Sequence, residues 1–196
     1  MGLKLISGIT HGFLFSLLIA GCFGTSFAGE EDGGFSVVEV HTTLTDESVQ
    51  LSALLDFQLT EKVADAVRNG IPVTLEVKVK VERPQKYWWP EEVSAMRQRY
   101  QLRYHALSQQ FIVRNLNNGV QNHFPNVSQA LASIGQINNL TLPRPRDVID
   151  LDPYRLRIRT RLDIGALPVP LRLWAYLDPG WYLRSEWYEQ PLDGND

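Results

Sequence analysis

Residues 73–82 alternate apolar and polar side chains without a break: Val73, Leu75, Val77, Val79 and Val81 against Thr74, Glu76, Lys78, Lys80 and Glu82. Successive side chains of a strand point to opposite faces, so this period fits a β-strand with one buried and one wet face. The period recurs in residues 49–59, where Val49, Leu51, Ala53, Leu55, Phe57 and Leu59 alternate with Gln50, Ser52, Asp56 and Gln58, Leu54 being the exception. Residues 35–44 read as a third, less cleanly alternating strand. Residues 154–162 place Leu156, Ile158 and Leu162 on one face and Arg155, Arg157, Arg159 and Arg161 on the other. Residues 109–116 and 181–188 carry a weaker strand signal.

Two helices interrupt the strands. Thr60 caps residues 61–69, with Val63, Ala64 and Val67 on one face and Gly70 as the stop. Asn126 caps residues 127–134, with Gln129 completing a capping box and Val127, Ala130, Leu131 and Ile134 as the apolar stripe. Residues 90–105 fit two descriptions. Pro90, Glu91 and Glu92 suit a helix start, whereas Tyr100, Leu102 and Tyr104 alternate as in a strand, which is preferred from Arg99 onward. Residues 138–153 contain three prolines and read as a long loop. These signals predict a mainly β (α+β) fold: an antiparallel β-sandwich, or a strongly curled sheet, with two short helices. The expected organisation is a signal peptide over 1–28, a flexible linker over 29–34, one β-rich domain over 35–190 and a disordered tail over 191–196.

The first segment reads as a secretory signal, with Lys4 as the basic residue and an apolar stretch over 12–20 that is too short to span a bilayer. Two cuts fit it. Ser26-Phe27-Ala28 suits cleavage between Ala28 and Gly29. Ile19-Ala20-Gly21-Cys22 suits a lipobox, in which Cys22 is acylated and becomes the first residue. Membrane attachment follows only from the second. Cys22 is the only cysteine, so no disulfide and no thiol chemistry is available within the domain. Removal of residues 1–28 leaves 168 of 196 residues, enough to bury one core, and moves the net charge from −3 to −4 through loss of Lys4. A mildly acidic chain gives no case for a nucleic-acid partner.

No G-x-S-x-G, S-x-x-K or H-E-x-x-H motif occurs. His41, His105 and His123 lack ligand-like spacing, Asp150 and Asp152 suit either a hard cation or a turn before Pro153, and Glu91 and Glu92 suit either acid/base work or a helix start. No catalytic, cofactor-binding or metal-ligating residue is assigned. Two surfaces remain. Tyr87, Trp88 and Trp89 precede Pro90 and cannot all point inward from one strand; they form either a binding platform or a lid over one end of the sandwich. Arg155, Arg157, Arg159 and Arg161 form a stripe, to which Arg97, Arg99 and Arg103 add a second row. The stripe suits a phosphate-bearing lipid or glycan, or else a solvated face paired with Glu76, Glu82 or Asp56.

The segments W-P-E-E-V and YQLRYHALSQQFIV resemble an exported Gram-negative bacterial family of unknown function, the DUF4390 domain family. RNGIPVTLEVKVKVER, NVSQALASI, YRLRIRTRLDIGALPVPLRL and WYLRSEWY extend the likeness over nearly the whole mature chain. The resemblance brings no activity and no catalytic residues. It implies an ordinary signal peptide and a genetic neighbourhood with two-component sensor kinases. The combined expectation is a periplasmic, non-enzymatic binding or accessory module. Its expected partner is another envelope protein, the periplasmic region of a sensor kinase being one candidate. The alternative is a binder of an envelope lipid or glycan through the aromatic and arginine surfaces.

The mature chain is expected to begin at Gly29, which the intact mass of the exported protein measures. A diacyl adduct on Cys22, with partition into detergent, is the opposite result, because each buried methylene adds about 0.8 kcal/mol of membrane affinity.

Overall fold

The computed structural model describes residues 33–45, 48–85, 87–143 and 154–192. Nine strands and three α-helices follow one another among these: β1 Phe35–Leu44, β2 Ser48–Phe57, α1 Glu61–Arg68, β3 Val73–Arg83, β4 Glu91–His105, β5 Gln110–Asn115, β6 Gln121–Phe124, α2 Val127–Gly135, β7 Gln136–Pro143, β8 Arg155–Leu162, α3 Val169–Ala175 and β9 Tyr188–Pro191. Short 3₁₀ turns at Ile164–Ala166 and Pro179–Trp181 flank α3.

The strands form two open antiparallel sheets, a three-stranded one in the order β1-β2-β7 and a six-stranded one in the order β6-β5-β4-β3-β8-β9. β3 is central to the larger sheet. Its Val73, Leu75, Val77, Val79 and Val81 are fully buried and share one core with Val49, Leu51, Ala53, Leu55 and Phe57 of β2. Leu156, Ile158 and Leu162 of β8 join the same core. The apolar faces that period 2 predicts are therefore observed, although Thr74, Glu76 and Glu82 on the other face of β3 are buried as well, and a β-rich α+β sandwich is the architecture.

The helices follow their caps. The Thr60 hydroxyl accepts from Val63 N–H, and Val63, Ala66 and Val67 are buried under α1. Gly70 ends that helix at φ 83°, a left-handed conformation that side chains resist, and its N–H bonds Val67 O. The Asn126 side chain accepts from Gln129 N–H at the start of α2, which buries Ala130, Leu131 and Ile134. Gly135, at the end of α2, lies against the Leu55 carbonyl so closely that a Cβ would overlap it.

Several local expectations give way to tertiary pairing. The helical description of residues 90–105 is wrong: Glu91–His105 is strand throughout, because β4 hydrogen-bonds along the length of β3. Residues 138–143 belong to β7, paired with β2, and are not loop; residues 144–153, with Asp150 and Asp152, lie outside the described residues. Trp181 ends a 3₁₀ turn, and residues 183–187 run beside β8 but form only one bridge, Arg161 to Arg184. There the Ser185 hydroxyl, in place of a backbone carbonyl, accepts the Thr160 N–H, and the strand starts only at Tyr188. A third helix, α3, adds to the two expected. At the ends, Gly34 is no linker, since its carbonyl accepts from Gln58 N–H. Pro191 and Leu192 are no tail: Pro191 lies in β9, and Leu192 is fully buried and bonded to Tyr154 O.

Gly135→Ala is expected to push α2 off β2 and lower stability by on the order of 1–3 kcal/mol, as overpacking does, read from denaturation midpoints. Gly34→Ala, whose Cβ would meet nothing within 4 Å, is expected to be near neutral.

Candidate functional site

Tyr87, Trp88 and Trp89 occupy the tip of the β3–β4 hairpin and are 81%, 79% and 89% exposed. They are therefore not a lid over the sandwich. Pro84 and Pro90 bracket the tip; each lacks an N–H, so neither can extend the ladder. The base of the tip is clamped by Arg83, whose Nη2 donates to Glu91 Oε2 at 2.5 Å, with Gln85 donating to the same oxygen. Arg83 holds the Glu91 carboxyl below its usual range. Lys80 does the same for Glu92, where its hydrogen bond outweighs partial burial. The two glutamates thus serve different ion pairs and do not form an acid/base couple.

The outer face of the six-stranded sheet carries the arginine stripe. Period 2 puts Glu76, Lys78, Lys80 and Glu82 outward from β3, and antiparallel register sets each beside a residue of β8: Arg161, Arg159, Arg157 and Arg155. Arg157 donates to Glu82 at 3.0 Å and lies 2.7 Å from Glu189 of β9. Arg161 Nε donates to Glu76 at 2.9 Å. Lys80 bridges Glu92 at 2.7 Å and Glu82 at 3.2 Å. Of the three acids expected to neutralise the stripe, Glu76 and Glu82 do so. Asp56 does not, because it belongs to the other sheet, where it accepts from Gln58. Arg155 makes no ion pair among the described residues.

Arg97 and Arg99 of β4 extend this face as the second row, opposite Lys78 and Glu76 respectively. Arg103 lies farther along β4, opposite Ile112. Trp187 covers part of the face, its ring centroid 4.8 Å from the Arg157 guanidinium, 5.6 Å from that of Arg159 and 5.5 Å from Lys80 Nζ. Beside it Glu76, Lys78, Arg97, Arg159, Arg161 and Trp187 enclose a recess of about 230 Å³. Sequence reasoning missed Trp187 and Glu189; the only available signal was the spacing of two, which sets both on one face.

A second exposed apolar surface was also missed. Val169, Leu173, Trp174 and Leu177, on and just after α3, are all exposed, with Tyr176 and Tyr182 half exposed nearby. This run follows β8, at the opposite end of β3 from the hairpin tip, and the 11 residues of β3 at about 3.3 Å each put roughly 30 Å between the two ends. A shallow groove of about 370 Å³ between α1 and α2 is lined by Phe57, Ala64, Arg68, Val127 and Leu131 among others.

The three histidines among the described residues form no metal-ligand cluster and are locally engaged: His41 with Glu39, His105 with Ser108, His123 with Gln110 and Gln121. Among the described residues no three potential ligands cluster as a metal site requires. Likewise no described helix is long and apolar enough to cross a membrane. Cys22, Ala28 and Gly29 lie outside the described residues.

Arg157→Gln is expected to lower stability by on the order of 1–3 kcal/mol, since Glu82, with 8% of its side chain exposed, would keep only Lys80 as ion-pair partner. Arg155→Gln is expected to stay within about 0.5 kcal/mol of the parent. Urea denaturation of both variants measures the contrast.

The chain belongs to the family described as Domain of unknown function (DUF4390), whose model matches residues 32–191. No curated protein and no solved structure matches the chain.

Proposed function

We propose that this DUF4390 domain is a non-enzymatic binding module, exported to the periplasm, that engages another envelope protein through the tip of its β3–β4 hairpin. The observation that carries this reading is the exposure of Tyr87, Trp88 and Trp89 together on one short turn. Leaving three large aromatics in water forgoes on the order of 1.5–3 kcal/mol of burial each, which a partner surface would recover. Aromatic side chains also lose little rotamer freedom on docking, and Trp and Tyr dominate the energetics of protein interfaces. The tip is set for this by the prolines on either side and by the Arg83–Glu91 clamp beneath it.

The surroundings favour a protein over a charged polymer. The clamp neutralises the ions at the base of the tip, and the arginine stripe lies on the flat of the sheet. A periplasmic sensor region is the partner that the family resemblance suggests. Export itself rests on the signal-like segment with its cleavage options at Ala28 and Cys22.

A photo-crosslinking residue at position 89 is expected to join one envelope protein in its native membrane environment, and one at Leu107, on the β4–β5 turn, is not. With that partner purified, Trp88→Ser/Trp89→Ser is expected to weaken the affinity by about tenfold or more while leaving the melting temperature unchanged. Equal affinity of the double variant, or adducts at position 89 with lipid alone, would refute the reading.

A further inference from the structure

The outer face of the larger sheet is organised as cross-strand rows, and one row differs from its neighbours. In the row Arg99–Glu76–Arg161 an acid stands between two cations. In the row Lys80–Arg157–Glu189 an acid closes the end, and Lys80 and Arg157 also share Glu82. The row between them runs Arg97–Lys78–Arg159, three cations directly opposite one another on β4, β3 and β8 with no acid of its own.

Like charges facing each other across strands are destabilising. The carboxylate within reach of Lys78 is Glu92, at 3.9 Å, and it is bound more closely, at 2.7 Å, to Lys80. The Lys78 ammonium is held below its usual range by partial burial first and then by Lys80, with Glu92 opposing the shift and Arg97 adding to it. Arg97 and Arg159 form no ion pair among the described residues, and Arg159 Nε is buried without a hydrogen-bond partner among them. All three cations line the 230 Å³ recess that Trp187 walls on one side. The one carboxylate in it, Glu76, accepts from Arg161.

We propose that the recess formed by Arg97, Lys78, Arg159 and Trp187 is a binding site for the phosphate group of a phosphorylated organic molecule. Three cationic groups from three adjacent strands match an anion with several acceptor oxygens. A phosphate monoester brings close to two negative charges and three such oxygens, whereas a carboxylate brings one and two. Guanidinium forks on either side of an ammonium suit a tetrahedral oxyanion. The indole of Trp187 gives the organic part of the ligand an apolar wall. The inference concerns the flat of the sheet and stands apart from the hairpin tip, so either can fail without the other. A lipid headgroup and a soluble phosphate ester share this chemistry.

The probe is phenyl phosphate, titrated calorimetrically into the full mature chain at low ionic strength. Saturable binding at one site per chain is expected, weakened about tenfold or more by Lys78→Gln or Arg159→Gln and unchanged by Arg155→Gln or Arg103→Gln. Because Lys78→Gln removes like-charge repulsion, its melting temperature without ligand is expected to match or exceed that of the parent, and its rise with phenyl phosphate to disappear. Arg97→Gln, exposed on β4, provides the same test should Lys78→Gln fail to fold. Co-sedimentation with phosphatidylethanolamine vesicles containing phosphatidic acid, abolished by the same variants, would support the site with a lipid as its source. Phenyl phosphate binding without vesicle binding would support it with a soluble ester. No saturable binding by the parent, or equal weakening by Arg155→Gln, would overturn the proposal.

Discussion

Two carboxylates on the central strand, Glu76 and Glu82, are buried, and the surrounding face is built to answer them. A buried ionised carboxylate is tolerable only when paired and hydrogen-bonded, since its lost hydration amounts to several kcal/mol. β8 supplies that pairing through Arg161 and Arg157, and Lys80 adds a third cation from β3 itself. The consequence reaches beyond the surface. A slip of one residue between β3 and β8 would turn the arginines into the valine core and strand both glutamates, so the ion pairs and the apolar face select the same register. The antiparallel neighbours of β3 follow from that choice, and with them the position of every residue on the outer face.

What could be read from sequence was what depends on near neighbours. The faces of β2, β3 and β8 follow from period 2 alone, and the starts of α1 and α2 follow from Thr60 and Asn126 acting on residues three positions on. β4 resisted because its first turn carries the local marks of a helix, Pro90, Glu91 and Glu92, while the force that makes it a strand comes from pairing with β3. β7 resisted for the same reason: Pro143 reads as a breaker, yet the segment before it completes the smaller sheet against β2. Residues 181–187 alternate in burial as a strand does, but the Ser185 side chain replaces a ladder partner, which alternation cannot reveal. α3 was hidden because an exposed apolar helix and a buried segment have the same composition.

The candidate surfaces divide along the same line. That the four arginines share a face was legible, as were Glu76 and Glu82 among their partners. Asp56 was assigned to them wrongly, because sequence does not say which strands share a sheet. Glu189 enters through the β8–β9 pairing, whose register no local pattern encodes, and Trp187 lies just before that strand. For the aromatics, sterics alone required at least one of Tyr87, Trp88 and Trp89 to lie outside. That all three do so is a property of the closed hairpin, whose connection runs between Pro84 and Pro90.

The β3–β4 hairpin carries the aromatic tip and two of the three cations of the recess, and its rigidity matters differently to each surface. Lys78 is flanked by strands on both sides, and Arg159 and Arg97 are held opposite it by ladder hydrogen bonds, so their backbones cannot separate to relieve repulsion. The charge is held in place before any anion arrives, as electrostatic recognition requires of a site on a scaffold. At the tip the Arg83–Glu91 clamp fixes the base, and Tyr87, Trp88 and Trp89 are largely exposed. Outward groups of this kind contribute little to the core, whose apolar contacts come from the inward residues of the same strands. The sheet can therefore keep a row of three cations and an exposed aromatic tip while its stability rests on the opposite face.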